Sequence, residues 1–206
     1  MMRTIAALAL AAASAACADS GPGPGPVAET PEGPIPVQPV PAAASRLVLA
    51  VPTLAGGGFT GGRVVSPSGR YREERGAWEA GGRPAATAGM VLSESRAGPP
   101  LTDPQDPADV PPAFPELAHF HPGPADLVAT TNALGPVKWR RAALGTATCV
   151  LFLQRWGSDA QQAPASTLAG YYCAPPGAVL TPGNAEAVVQ GVGLHPASTA
   201  LSEPPR

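Results

Sequence analysis

The sequence predicts an α+β fold: a small antiparallel sheet with one C-terminal helix, set among long Pro/Gly-rich disordered segments. Three observations predict it. Strand-type runs gather between residues 126 and 196, a Thr-Pro helix start follows them, and 28 Pro with 24 Gly take up a quarter of the 206 residues, roughly double the usual share. Leu, Ile, Val and Phe together number 39, so little apolar area is available for burial at this length. That disfavours large single-core folds such as α/β barrels and doubly wound sheets. A net charge of −2 with 14% charged residues argues against full disorder and gives no electrostatic ground for a nucleic-acid partner.

Residues 1–16 place Arg3 ahead of an apolar run from Ile5 to Ala13, followed by small residues, the build of a secretory signal peptide. The run is too short for a bilayer core, which takes about 20 residues. Its end, Ser14-Ala15-Ala16-Cys17, resembles the lipobox of bacterial lipoproteins. The resemblance implies cleavage before Cys17, acylation of that cysteine and anchoring to a membrane that faces the periplasm. In that family Asp directly after the cysteine marks retention in the inner membrane; here Asp19 stands second after Cys17, so the resemblance leans toward the outer membrane. Ordinary cleavage at Ala16-Cys17-Ala18 is the alternative, and it leaves a soluble secreted ligand-binding protein. Residues 17–45 then read as a lipidated cysteine and a Pro/Gly tether, since a segment without helical or strand period cannot offset its ordering entropy. Polyproline II gives such a tether a reach of about 3 Å per residue. Pro36, Pro39 and Pro41 offer the competing reading, a ligand for a Pro-binding groove.

Residues 46–97 form a sparse β-like region. Arg46–Val51, Gly62–Ser66 and Gly89–Ser93 have strand composition, and Gly56-Gly57-Gly58 and Ser66-Pro67-Ser68-Gly69 punctuate them as turns. Arg70 to Glu79, with mixed charge, reads as a helical turn or a solvated loop. Residues 98–125 read as a Pro-rich linker that either divides two lobes or wraps over the carboxyl domain, anchored by Phe114, Leu117 and Phe120. The carboxyl domain spans 126–196. Val137 and Trp139 alternate with Lys138 and Arg140, while 146–156 (TATCVLFLQRW) and 167–173 (TLAGYYC) carry β-branched and aromatic residues. Thr181 caps a helix with Pro182 at its first position; Ala185, Val188, Val189 and Val192 share its inner face, and Gly191 or Gly193 ends it. Residues 197–206 read as a disordered tail.

The runs ATCVLFLQRW and GYYCAPPG are similar to short Cys-paired domains of uncharacterised proteobacterial envelope proteins, a resemblance that implies no catalytic set. With Cys17 assigned to lipid, Cys149 and Cys173 remain as an even pair, as suits an oxidising compartment. An antiparallel register that sets Cys149 opposite Cys173 also pairs Leu151 with Tyr171 and Leu153 with Ala169, which puts one apolar set on one face.

Several chemical constellations compete with structural readings. In a strand His119 and His121 would share a face with Glu116 in reach from the adjoining turn, a weak metal candidate without an evident fourth ligand. Asp103, Asp106 and Asp109 offer oxygens but lack the EF-hand spacing and its glycine. His195 beside Cys149 or Cys173 would make a nucleophile pair only if those thiols were free. Gly56, Gly58 and Gly61 match a dinucleotide fingerprint, yet strand composition follows where a helix is needed. Tyr171, Tyr172, Trp139 and Trp156 read as core before they read as a binding patch. The expectation is therefore a non-enzymatic envelope lipoprotein without cofactor. It has a structural or interaction role, with the membrane and an unknown envelope protein as partners. A periplasmic metal-binding protein or hydrolase using His119 and His121 is the alternative.

Overall fold

The computed structural model describes residues 35–96, 102–118, 120, 122, 125–144, 146–157 and 165–196. All of them belong to one unit, Pro34–Arg206. The expected signal peptide, the Cys17 anchor, the tether up to residue 34, the 197–206 tail, His119 and His121 lie outside the described residues. The last part of the expected 17–45 tether is not a spacer: Gln38–Pro39 pairs with Gly62–Arg63, Val40 is buried and its N–H donates to the Gly61 carbonyl, because an edge strand leaves room for proline.

Among the described residues ten strands and one α-helix follow in order: β1 (Gln38–Pro39), β2 (Leu47–Leu49), β3 (Gly58–Val65), β4 (Tyr71–Glu79), β5 (Thr87–Ser95), β6 (Val128–Asn132), β7 (Gly135–Leu144), β8 (Ala147–Trp156), β9 (Ala165–Cys173), α1 (Pro182–Gln190) and β10 (Val192–Leu194). Eight of the strands form one sheet in the order β1-β3-β4-β5-β9-β8-β7-β6, and β10 pairs with β2 in a separate ribbon. Every pairing is antiparallel. The expected antiparallel sheet with one helix is present, but the sheet is not small. The 46–97 strands join it, because β5 pairs with β9 from Thr87↔Cys173 to Ser95↔Ala165. Arg70–Glu79, expected as a helical turn or loop, is the nine-residue strand β4. Its charges misled the reading: Glu73 and Glu74 point to opposite faces, and each is neutralised by an arginine.

Burial identifies the centre of the sheet. β5, β8 and β9 are buried almost without interruption, whereas β7 alternates buried and exposed positions. Continuous burial requires a layer on each face. On one face Met90, Leu92, Val150, Phe152, Leu168 and Tyr172 pack under α1 and the β2–β10 ribbon. The Thr181 hydroxyl accepts the Asn184 N–H at 3.2 Å, and Pro182 occupies the first turn, as the sequence predicts. Ala185, Val188 and Val189 face inward, and Val192, also buried, belongs to β10 beyond the helix. The helix stops at Gly191, where the Ala50 N–H donates to the Gly191 carbonyl at 2.8 Å. A side chain there would bring Cβ to 2.6 Å from the Ala50 carbonyl oxygen, so only glycine lets α1 turn against this strand.

The second face is covered by the Pro-rich segment. The chain leaves β5 at the middle of the sheet and re-enters at the far edge as β6, so the connection has to cross β9, β8 and β7, four inter-strand spacings or about 19 Å of sheet at ~4.8 Å each. Among its described residues it does so through three 3-10 turns, Pro107–Asp109, Pro111–Ala113 and Pro115–Leu117. A proline opens each turn, where its fixed φ fits and its missing N–H is not needed. Val110 and Phe114, each preceding a proline, and Leu117 point into the sheet with Val91, Leu151, Leu153, Ala169 and Tyr171. Residues 102–118 are thus a structural layer and not a spacer between lobes. Of the two readings the sequence left open, the wrap anchored by Phe114, Leu117 and Phe120 is the one found.

Candidate functional site

Cys149 and Cys173 are joined by a disulfide across the directly opposed pair of β8 and β9, with Cα atoms 4.0 Å apart. The register pairs Leu151 with Tyr171 and Leu153 with Ala169, so this apolar set does share one face. The bond removes both sulfurs from nucleophilic chemistry, and His195 has no thiol partner in them. The bridge spans 24 residues, and closing such a loop stabilises by roughly 3 kcal/mol in the chain-entropy account. Cys149→Ala/Cys173→Ala is expected to lose about that much in urea unfolding. The unaltered chain, denatured without reductant, should titrate no thiol from either position.

The acids singled out for possible ligation are occupied in folding. Asp103 forms an ion pair with Arg155 at 2.9 Å and accepts the Thr167 hydroxyl at 3.0 Å. Asp106 accepts the Ala108 N–H and donates its own N–H to Asp109, a capping box around the first 3-10 turn. Glu116 accepts the Tyr171 phenol at 2.6 Å. Burial, that hydrogen bond and the carboxylate charge hold Tyr171 well above the usual phenol range. Among the described residues no group of three or more His, Cys, Asp or Glu side chains could hold a metal ion. Gly56 takes a left-handed turn (φ 74°), and Gly58 and Gly61 lie inside β3, so no helix N-terminus opens at the dinucleotide-like motif. The four aromatics divide between the faces: Tyr171 lies under the Pro-rich layer, and Tyr172, Trp139 and Trp156 pack on the α1 side.

Two adjacent buried carboxylates tie the layers to the sheet. Glu73 accepts the Tyr71 phenol at 2.8 Å and the Thr102 hydroxyl at 2.7 Å, and pairs with Arg75. Burial and the Glu73 carboxylate together hold the Tyr71 phenol above its usual range. Glu74, on the opposite face, accepts from Ser45, from the Arg46 amide and from both Nε and an Nη of Arg63.

A recess on the α1 side of the sheet was not found by sequence reading. A cavity of about 400 Å³ opens between the Pro52–Leu54 turn, the 174–180 loop and α1, against Tyr172 of β9. Among its lining residues only Thr53, Tyr172 and Asn184 are polar, and none carries a formal charge at neutral pH. The Thr53 and Tyr172 hydroxyls are hydrogen-bonded to each other at 2.8 Å, while Val179, 75% exposed, stands on the lip. Small side chains leave the space: Ala50, Ala174, Ala178 and Ala187 lie where two layers meet and cannot fill the gap. Alanine clustered in APPGAVL and along α1 was the available signal. Compared with protein-family models, curated proteins and solved structures, the chain matches none of them.

Proposed function

We propose that this chain is an exported envelope protein, anchored through a lipidated Cys17, whose β-domain has a structural or interaction role at the membrane and not a catalytic one. The disulfide between Cys149 and Cys173 carries the reading, because such bonds persist in oxidising compartments and the third cysteine follows a signal-type segment. The Pro/Gly run after Cys17 supplies the reach that separates a folded domain from a lipid surface. The polar groups best suited to chemistry, Glu73, Glu74, Asp103 and Glu116, are each engaged by hydroxyls or arginines that hold the layers in place. Glu116, the non-histidine member of the metal candidate, is among them, which weighs against the hydrolase or metal-binding alternative.

The anchoring is tested by feeding cells labelled palmitate and by fractionating their membranes. The mature chain should carry label and partition with membranes, since two or more acyl chains anchor stably where one does not. Cys17→Ser should abolish label and release or stall the precursor. An unmodified amino terminus at Ala18 or Asp19 in intact-mass analysis would overturn the anchor. Co-purification of a defined envelope protein after cross-linking in whole cells tests the interaction role.

A further inference from the structure

We infer that the recess beside Thr53 and Tyr172 is a binding site for a small, uncharged and mainly apolar molecule carrying one hydroxyl or carbonyl group. Its volume of about 400 Å³ falls within the range of small-molecule sites, which are largely apolar with a few convergent polar groups. At a water-like ~30 Å³ per non-hydrogen atom, such a volume holds roughly a dozen atoms. No carboxylate, ammonium, guanidinium or imidazole lines it. A charged ligand would therefore lose its hydration with nothing to replace it, at a cost no apolar contact recovers.

The hydroxyl pair sets the polar requirement. Thr53 and Tyr172 share one hydrogen bond, which uses one of their two O–H donors and leaves the other for an acceptor on the ligand. An alcohol or ketone oxygen meets that need, and its alkyl body faces Val51, Leu180 and Val188. Three separate parts of the chain build the walls: the turn after β2, the loop after the disulfide-bearing β9, and α1. Each is pinned independently, by the β2–β10 ribbon, the Cys149–Cys173 bond and the Thr181 cap. The recess is therefore preformed and does not have to be ordered by its ligand, which lowers the entropic cost of binding. The site is independent of how the amino terminus is anchored.

Isotope-labelled full chain carrying Cys17→Ser, which removes acyl chains and detergent from competition, is titrated with octan-1-ol, nonan-2-one and octanoate near neutral pH. Saturable amide shifts at Thr53, Tyr172, Ala178 and Val188 are expected with the alcohol and the ketone, and octanoate should bind at least tenfold more weakly. Thr53→Val with Tyr172→Phe removes both hydroxyls with little change of shape and should weaken both neutral probes about fivefold. Ala187→Phe, at an exposed helix position on the mouth, should block binding while the remaining spectrum keeps its folded dispersion. Three results would each overturn the assignment: no saturable shift with either neutral probe, octanoate binding as tightly as octan-1-ol, or binding that survives Ala187→Phe.

Discussion

Glu74→Ala is expected to destabilise the fold by about 3–5 kcal/mol, the range for removing one partner of a buried ion pair. Glu74 is 1% exposed and Arg63 14% exposed, so the guanidinium left behind would be largely without solvent. The loss is not only electrostatic. The same carboxylate accepts the Ser45 hydroxyl at 2.8 Å and the Arg46 amide at 2.7 Å, and those donors would be orphaned at the point where the amino-terminal chain enters the domain. Replacing both partners, as Arg63→Met/Glu74→Leu, should recover part of the loss, because a matched apolar pair removes the stranded charge. The remainder then measures the two orphaned donors, each costing about 1–3 kcal/mol.

The pH dependence has a definite sign. Burial pushes the Glu74 carboxyl up, but its bonds to Arg63, Arg46 and Ser45 outweigh burial and hold it below the usual carboxylate range. The unfolded chain therefore takes up this proton at higher pH than the native one does. The stabilisation is complete above the ordinary carboxylate value and is lost as pH falls through the native value. Urea unfolding of the unaltered chain and of Glu74→Gln should show a constant gap at neutral pH that narrows only in the acid range. A gap independent of pH would contradict the assignment.

How much of this was legible follows from what each segment had to satisfy. The carboxyl hairpin was readable down to its register, because period-2 alternation and an even pair of cysteines constrained one another: Cys149, Leu151 and Leu153 had to meet Cys173, Tyr171 and Ala169. The α1 start was readable for a local reason, the Thr181-Pro182 cap. Strand β4 was not, since RYREERGAWE has the composition of a solvated segment. Only the tertiary positions of Arg63 and Arg75 show why Glu73 and Glu74 sit inside. The second layer did leave a trace. The run CVLFLQ in β8 is buried at every position, and a strand without polar alternation needs cover on both sides. The sequence leaves that cover as one of two readings, because proline density fits a linker as well as a layer; proline every fourth residue opens successive 3-10 turns and aims Val110 and Phe114 inward. The recess left only the alanines of APPGAVL and α1 as a trace, side chains too small to fill a gap and carrying no chemical motif.

Phe114→Ala should lift that second layer from the sheet at a cost of about 3–5 kcal/mol, the usual price of truncating a buried phenylalanine. Phe114 is buried, and its ring meets Tyr171 edge-on with centroids 5.0 Å apart, a geometry that adds roughly 0.5–1.5 kcal/mol to its area burial. The space it fills exists because position 89 of β5 has no side chain: a Cβ there would lie 2.6 Å from Tyr171 and 2.9 Å from Phe114. Gly89→Ala should therefore loosen the same layer from the opposite side, by crowding where Phe114→Ala leaves a cavity. Once the ring is gone, the part-buried Glu116–Tyr171 bond loses the packing that shields it from water. Limited proteolysis reads the outcome directly. In the unaltered chain residues 102–118 should resist cleavage, because their turns and apolar side chains are held against the sheet and cutting requires local opening. In Phe114→Ala and Gly89→Ala the same residues should be cut early, before the sheet strands, with a parallel rise in binding of an apolar dye to the uncovered Val91, Leu151 and Leu153 face. Early cleavage of 102–118 in the unaltered chain would restore the linker reading of this segment and remove it from the core.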